Sequence, residues 1–337
     1  MNKNHIFVSD DTTIKAVCGN KRYCLHIQRD DNVESPREWD NITVMACFHS
    51  RYNLGDSGIA KEPIQFWHDL VSNHVSNDEL VAAILAGKLQ GIRIVEKPNG
   101  LVDVYETTAI SILGRASESS EALEYEEINR GAVKDYVLDD LNFGQSQTLM
   151  KPHAEWLPLW LYDHSGLTIS CGERVYPYND RWDSGQVGWI VALKDTMMKD
   201  ACEILRGENG EPIMEEHQHP DGSVTYSAKH KPLTEETWRK RAIEIMESDV
   251  AVYDQFLRGE VYGFTLYTAD VPEENDEEDG DEDLDWEEED SCWGFYGDDL
   301  LENGILEELP DEFLNAIRDS NFEEGTAIRH TRSYYEF

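Results

Sequence analysis

Apolar residues alternate with polar ones in short runs along much of the chain. β-Forming residues flank Gly19-Asn20, Pro98-Asn99-Gly100 and Pro220-Asp221-Gly222, so the sequence predicts three β-hairpins at these turns. Further strands are predicted at 41–48, 157–162, 167–171, 187–193 and 260–269, where apolar runs have strand length.

Other segments repeat their apolar residues at helical spacing. One helix is predicted at 63–74, and a second begins at Ser76, where Glu79 completes a capping box, and ends at Gly87. Additional helices are predicted at 117–141, 194–205, 234–257 and 310–318. The expected core face of the helix at 234–257 consists of Trp238, Ile245, Val252 and Phe256. Because strands and helices do not alternate in a βαβ order, the pattern predicts an α+β fold with mixed or antiparallel sheets and flanking helices.

The same pattern predicts four segments. Residues 1–35 form an N-terminal hairpin segment, and residues 36–270 form an α+β core. Residues 271–290 form an acidic loop or disordered insertion, and residues 291–337 contribute a strand, a helix and a tail.

Negative charge is concentrated near the C-terminal end. Between Glu273 and Glu324 there are 24 acidic residues and one basic residue, Arg318, which gives −23 of the chain's net charge of −40. A concentrated block makes a local field that attracts cations or basic protein surfaces and repels nucleic acid. We therefore expect this part of the chain to face a partner.

The densest part of the block, from Glu273 to Asp290, has 14 acidic residues among 18. Such a run repels itself and has little apolar surface to bury, which favours an extended loop. An EF-hand does not fit, because aligning Gly280 with the loop glycine puts Trp286 where the final Glu belongs. The predicted partner-binding residues are Glu273, Glu274, Asp276, Glu277, Glu278, Asp279, Asp281, Glu282, Asp283, Asp285, Glu287, Glu288, Glu289 and Asp290.

Cellular location and redox state follow from the N-terminus and the cysteines. The first residues lack an apolar segment, and no run approaches the roughly 18 apolar residues of a membrane span, so we expect a cytoplasmic protein with reduced thiols. No cofactor is expected. Cys18 and Cys24 flank the first predicted turn and become cross-strand neighbours only if the loop is wider than two residues.

Several acidic and imidazole side chains lie in predicted loops at strand ends. If they converge, they can hold a divalent metal for hydrolysis of a phosphodiester or an amide. The candidate catalytic residues are Asp163, His164, Asp183, His49 and Asp56. Ordinary turn chemistry explains the same residues, because Asp and Ser side chains bond nearby backbone groups and Gly adopts positive φ.

Long irregular motifs occur between Asn41 and Asp298. They include HSRYNLGD at 49–56, LYDHSG at 161–166, WDSGQVGWI at 182–190, YDQFLRG at 253–259 and SCWGFYGD at 291–298. Together they resemble a family of phage- and mobile-element-encoded proteins of unassigned function. The resemblance implies a phage-type setting and assigns no role to any residue.

Charge and resemblance together give the leading functional hypothesis. Duplex DNA carries about one negative charge per 1.7 Å, and a protein of comparable charge density can occupy a DNA-binding groove. We therefore expect a counter-defence protein that occludes a basic nucleic-acid-binding host protein, such as a nuclease or a restriction or CRISPR-type complex. It would not bind nucleic acid or membrane directly. The alternatives are the metal-dependent hydrolase described above and a virion or assembly component.

Overall fold

The computed structural model describes residues 7–8, 11–106, 108–112, 115–119, 128–172, 182–207, 209–218, 223–270 and 284–319. The strands are β1 Thr12–Cys18, β2 Lys21–Arg29, β3 Thr43–Cys47, β4 Ile92–Glu96, β5 Leu101–Glu106, β6 Thr108–Ile112, β7 Arg115–Ser119, β8 Ile128–Asn129, β9 Ala154–Asp163, β10 Leu167–Cys171, β11 Ser184–Leu193, β12 Cys202–Ile204, β13 Met214–Gln218, β14 Val224–Ala228, β15 His230–Pro232, β16 Val261–Asp270 and β17 Glu287–Tyr296. The helices are α1 Pro63–His74, α2 Asn77–Leu85, α3 Val133–Val137, α4 Phe143–Met150, α5 Lys194–Asp200, α6 Trp238–Leu257 and α7 Asp311–Asp319.

Two compact units are interleaved along the chain. The first unit comprises Met1–Trp39, Leu161–Ser170 and Asp249–Phe337, and the second comprises Asp40–Trp160 and Cys171–Ser248. Residues 36–270, predicted as one core, therefore contribute to both units. The chain has the predicted α+β fold, with several antiparallel sheets and separate helices.

The first unit is built on a four-stranded antiparallel sheet. Its strand order is β1-β2-β16-β17, so a hairpin from the start of the chain pairs with a strand from the far end. Leu25 faces Leu266 across this pairing, and both side chains are fully buried. Phe313 and Ile317 of α7 complete the same apolar cluster, and the Phe313 ring lies 5.6 Å from that of Tyr23.

In the second unit, β11 pairs antiparallel with β3. Gly188 of β11 faces Cys47 of β3, and a Cβ atom at Gly188 would lie 1.8 Å from the carbonyl oxygen of Ala46. Only glycine therefore permits this close approach of the two strands.

The core of the second unit is centred on Trp67 of α1, which is fully buried. Its ring centroid lies 5.1 Å from that of Trp156 and 5.6 Å from that of Trp189, both in edge-to-face geometry. Edge-to-face aromatic pairs add stabilisation to the burial of their area. Three smaller sheets, β4-β5-β8, β12-β15 and β13-β14, are also described, as is the pair β6-β7.

Local signals in the sequence predicted many of these elements correctly. The three hairpins are confirmed as β1–β2, β4–β5 and β13–β14, although the turn of the third lies outside the described residues. The capping box is confirmed as well, because the Glu79 backbone N–H donates to Ser76 Oγ and the Ser76 N–H donates to Glu79 Oε2. No helix in the described ranges is long and apolar enough to cross a membrane.

The first turn also decides the arrangement of two cysteines. Cys18 pairs with Lys21, so the loop has two residues, and Cys24 faces Lys15 on the other strand. Gly19 has φ +63°, which suits the first position of a tight hairpin turn. Cys18 and Cys24 are therefore not opposite each other, and the hairpin does not form the cross-strand thiol pair that a wider loop would allow.

Three helix predictions need correction. The segment 117–141 is not one helix, because Arg115–Ser119 is a strand and Ile128 pairs with Val102 of β5. The described helical part is a 3-10 turn at Arg130–Ala132, then α3 and a second 3-10 turn at Leu138–Asp140. The helix from Lys194 ends at Asp200 and is followed by β12. In α6 the fully buried face is Trp238, Ala242, Met246, Val250 and Tyr253, whereas Ile245, Val252 and Phe256 are only half-buried.

Candidate acidic binding surface

The described part of the acidic run includes the first half of an edge strand. Glu287, Glu288 and Asp290 of β17 pair with Thr268, Tyr267 and Leu266 of β16, respectively, and a register shift leaves Glu289 as the extra residue of a bulge. The predicted loop at 271–290 therefore ends earlier than expected. Pairing with β16 satisfies the backbone groups on the inner side of this edge strand, while the side chains of these residues are exposed to water.

The carboxylates of β17 are exposed and have only short polar neighbours. The Ser291 N–H donates to Asp290 Oδ1 at 2.8 Å, and the Ser291 hydroxyl donates to Glu288 Oε1 at 3.0 Å. Thr268 Oγ1 donates to Glu289 Oε2 at 3.2 Å. Within the described part of the chain, no Lys or Arg side chain forms an ion pair with any of the four. Their charge is therefore not neutralised by a described cation.

The second half of β17 is aromatic. The Trp293 ring packs over Gly263, where a Cβ atom would come within 2.1 Å of Cε3, and 48% of Trp293 remains exposed. Trp39 is 51% exposed and meets Tyr296 edge to face at 5.4 Å. Together with Glu287–Asp290, the exposed Trp293 forms what we call the β17 surface, which is charged at one end and aromatic at the other.

The remaining predicted partner-binding residues fall outside this surface. Asp285 is exposed just before the strand. Glu273, Glu274, Asp276, Glu277, Glu278, Asp279, Asp281, Glu282 and Asp283 lie outside the described residues. Their assignment stays a prediction.

Two of the candidate metal ligands, His49 and Asp56, lie in the second unit and hold a loop in place. Asp56 Oδ2 accepts the Met45 N–H at 3.0 Å, and the Asp56 N–H donates to the Met45 carbonyl at 2.9 Å. His49 Nδ1 accepts the N–H groups of Arg51 and Tyr52, each at 3.3 Å, and its ring stacks on that of Tyr52. The His49 contacts are local to the turn, whereas Asp56 bonds to a residue eleven positions earlier in the chain.

The other three candidates also lie at strand ends. Asp163 ends β9, and the N–H of His164 donates to the Gly166 carbonyl in the tight turn to β10, where Ser165 has φ +61°. Asp183 immediately precedes β11 and is half-buried. Across the described ranges, no group of three or more His, Cys, Asp or Glu side chains is placed to hold a metal ion. The metal-dependent hydrolase therefore gains no support from these ranges.

A half-buried carboxylate that the sequence reasoning missed lies in the first unit. Asp254 Oδ1 accepts the Ile169 N–H at 2.7 Å, and Arg258 bridges Asp254 and Glu260. Burial raises the pKa of Asp254, against the lowering effects of the Ile169 N–H and of Arg258. The motif YDQFLRG at 253–259 contains Asp254 and Arg258, so it joins the end of α6 to β10 and to Glu260 just before β16.

Known proteins give no further information about this surface. No known protein family, curated protein or solved structure matches the chain. The resemblance to phage-encoded proteins therefore stays a prediction.

Proposed function

We propose that this chain binds a basic, nucleic-acid-binding host protein through its acidic C-terminal third and blocks that protein's nucleic-acid groove. The observation that carries the proposal is the run of exposed carboxylates Glu287–Asp290, which no described cation neutralises. Nine further carboxylates between Glu273 and Asp283 precede it in the sequence. Repulsion among these charges is relieved when a cationic surface approaches.

Charge spacing supports a resemblance to a nucleic-acid backbone. An antiparallel strand rises about 3.4 Å per residue, and one strand of B-DNA carries a phosphate about every 3.4 Å. The bulge at Glu289 interrupts the alternation of side chains between the two faces of the sheet, so the match concerns only the spacing along the axis. A groove that binds phosphates with Lys and Arg side chains can bind this strand by the same attraction.

The phage-type resemblance supplies the setting for this proposal. A phage gains from blocking a nuclease or a restriction or CRISPR-type complex, and the grooves of such proteins are basic. The chain would act by occupying the groove, so the proposal requires no catalytic residue in this protein.

The test is capture of a host protein from lysate by the tagged chain, followed by measurement of the association rate with the purified partner. The perturbed variant carries Glu287→Gln, Glu288→Gln, Glu289→Gln and Asp290→Asn. A matched control removes the same charge from exposed positions of the second unit, through Glu62→Gln, Glu211→Gln, Glu216→Gln and Glu236→Gln. We expect the β17 variant to associate at least about tenfold more slowly at 50 mM salt, and the control to change little.

Salt provides the second arm of the test. Raising the salt concentration from about 50 to about 300 mM shortens the Debye length, so binding of the intact chain should weaken steeply. A complex that is insensitive to salt, or an equal loss in both variants, would contradict the proposal. Deletion of 273–290 is a poorer test, because it would also remove the β17 residues that pair with β16.

A further inference from the structure

The outer edge of strand β17 is open to pairing. Among the described residues β17 pairs only with β16, so it ends the sheet β1-β2-β16-β17. A terminal strand presents backbone N–H and C=O groups that can pair with another extended segment.

The Ser291 N–H marks the outer side of this strand. It donates to Asp290 Oδ1 at 2.8 Å, a bond to the side chain of its immediate neighbour, which places this N–H away from β16. Because backbone groups of alternate residues point the same way along a strand, the Trp293 N–H lies on the same side. Both residues lie between the bulges at Glu289 and Gly294, so they form the regular part of the outer edge.

Asp290 decides which segments can use this edge. Its side chain is exposed and covers the Ser291 N–H, so a neutral segment would have to break that bond, and an acidic segment would be repelled. An Arg or Lys side chain offers the carboxylate a charge-assisted hydrogen bond, which draws it away and frees the Ser291 N–H for pairing. The edge is therefore selective for cationic segments.

The side chains beside the edge fit the same segment. Cys292 lies opposite Phe264 of the core cluster, so its neighbour Trp293 lies on the sheet face away from that core, and Asp290, opposite Leu266, points to the core side. A guanidinium group can stack on the half-exposed Trp293 ring. An added strand with cations on both of its faces therefore meets Asp290 with one cation and Trp293 with another.

A second copy of this chain does not provide such a segment. The strand β17 of that copy has four carboxylates and neither Lys nor Arg, and each copy carries a net charge of −40. Two like-charged chains repel each other, whereas a basic nucleic-acid-binding protein supplies Lys and Arg.

We propose that an extended, Arg- or Lys-rich segment of the host protein adds to the outer edge of β17 as a further strand, with one cation drawing Asp290 off the Ser291 N–H. This inference rests on the proposed function and deepens it. It specifies that the partner is held through backbone pairing as well as through charge.

The first test compares two peptides on the intact full-length chain. The probe is a synthetic Arg/Thr peptide of about six residues, the length of an ordinary strand. The control peptide has the same side chains with every backbone amide N-methylated, so it keeps the charge and cannot donate backbone hydrogen bonds. We expect the unmodified peptide to bind at least about tenfold more tightly than the control at about 50 mM salt. It should also slow hydrogen exchange of the Ser291 and Trp293 amides.

An edge variant provides the second test. Ser291→Pro removes the outward N–H and keeps every charge of the β17 surface, and proline is tolerated where the N–H of an edge strand faces solvent. Ser291→Ala is the matched control, because it also loses the hydroxyl bond to Glu288 but keeps the N–H. We expect Ser291→Pro to weaken peptide binding at least about tenfold and Ser291→Ala to change it less than about twofold. If Ser291→Pro fails to fold by circular dichroism, the N-methylated peptide decides alone.

The outcomes separate this inference from the proposed function. Equal binding of the two peptides, or unchanged binding by a folded Ser291→Pro variant, would overturn the added strand. If the captured host protein then still associates more slowly with the charge-neutralised β17 variant, the proposed function stands without it. If neither β17 variant slows that association, both are wrong. Protection of the Ser291 and Trp293 amides that arises without peptide and increases with protein concentration would overturn the inference in favour of a second copy.

Discussion

The packing of Trp293 over Gly263 leads to a prediction about stability. A Cβ atom at Gly263 would lie 2.1 Å from Cε3 and 2.3 Å from Cδ2 of the Trp293 ring. Gly263→Ala must therefore push the ring off the sheet. Because the ring is 48% exposed, it can move outward without disturbing the buried core on the other face of β16.

The expected loss of unfolding free energy follows from the surface area that the Trp293 ring covers. A tryptophan buries up to about 200 Å², so a half-exposed ring keeps roughly 100 Å² from water, worth about 2.5 kcal/mol at about 25 cal/mol per Å². Gly263→Ala and Trp293→Ala should each lower the free energy of unfolding by about 2 kcal/mol. In the Trp293→Ala background the clash is absent, so adding Gly263→Ala should cost less than about 0.5 kcal/mol.

The assay is a double-mutant cycle, with urea unfolding followed by circular dichroism at pH 7. A coupling energy of about 2 kcal/mol is expected between the two positions. If Gly263→Ala costs the same free energy with and without the Trp293 ring, the ring is not the reason that glycine is needed, and the description of the aromatic half of the β17 surface is wrong.

Two further predictions concern the second unit. Gly188→Ala should lower the free energy of unfolding by more than about 3 kcal/mol, because its Cβ would meet the Ala46 carbonyl. The control Gly185→Ala, in the same strand, places its Cβ in open space and should change the free energy of unfolding by less than about 1 kcal/mol. Both values are measured by urea unfolding. Burial, followed by repulsion from His153, lowers the pKa of His74 below its ordinary value. As the pH falls from about 7 to about 5, this histidine therefore takes up a proton in the unfolded chain before it does so in the folded chain, and the folded state loses stability. The variant His74→Gln should lose less stability over this pH range, and equal losses in both proteins would refute the assignment.

Short-range chemistry made much of the fold predictable. Gly19 at positive φ sets the first hairpin, and the reciprocal bonds of Ser76 and Glu79 set the start of α2. Each of these signals acts within a few residues, so it can be read directly from the sequence.

Long-range pairing was not predictable in the same way. The pairing of β2 with β16 joins the two ends of the chain, and no local pattern specifies that register. The acidic residues Glu287–Asp290 were assigned to a loop because of their charge, but the edge of β16 recruits them into a strand. A run of charged residues indicates exposure to solvent, but it does not by itself distinguish a loop from an edge strand.

The candidate site was predicted only in part. The sequence identified its carboxylates, whose density is visible without a structure. It did not identify the aromatic half, because the contact between Trp39 and Tyr296 depends on tertiary structure. The side chains of His49 and Asp56 accept hydrogen bonds from backbone N–H groups, and the metal-site interpretation of the five Asp and His candidates stays a prediction.

The interleaving of the first unit has a consequence for biosynthesis. Ribosomes release the N-terminus first, so β1 and β2 emerge long before β16 and β17. A lone two-stranded hairpin is marginally stable in water, and Leu25 and Ile27, fully buried in the final fold, lack their partners on β16 until then. The apolar face of this hairpin therefore stays exposed to solvent until β16 has been synthesised. We expect chaperones to bind it during this time, and we expect it to misassemble if synthesis stalls before Val261.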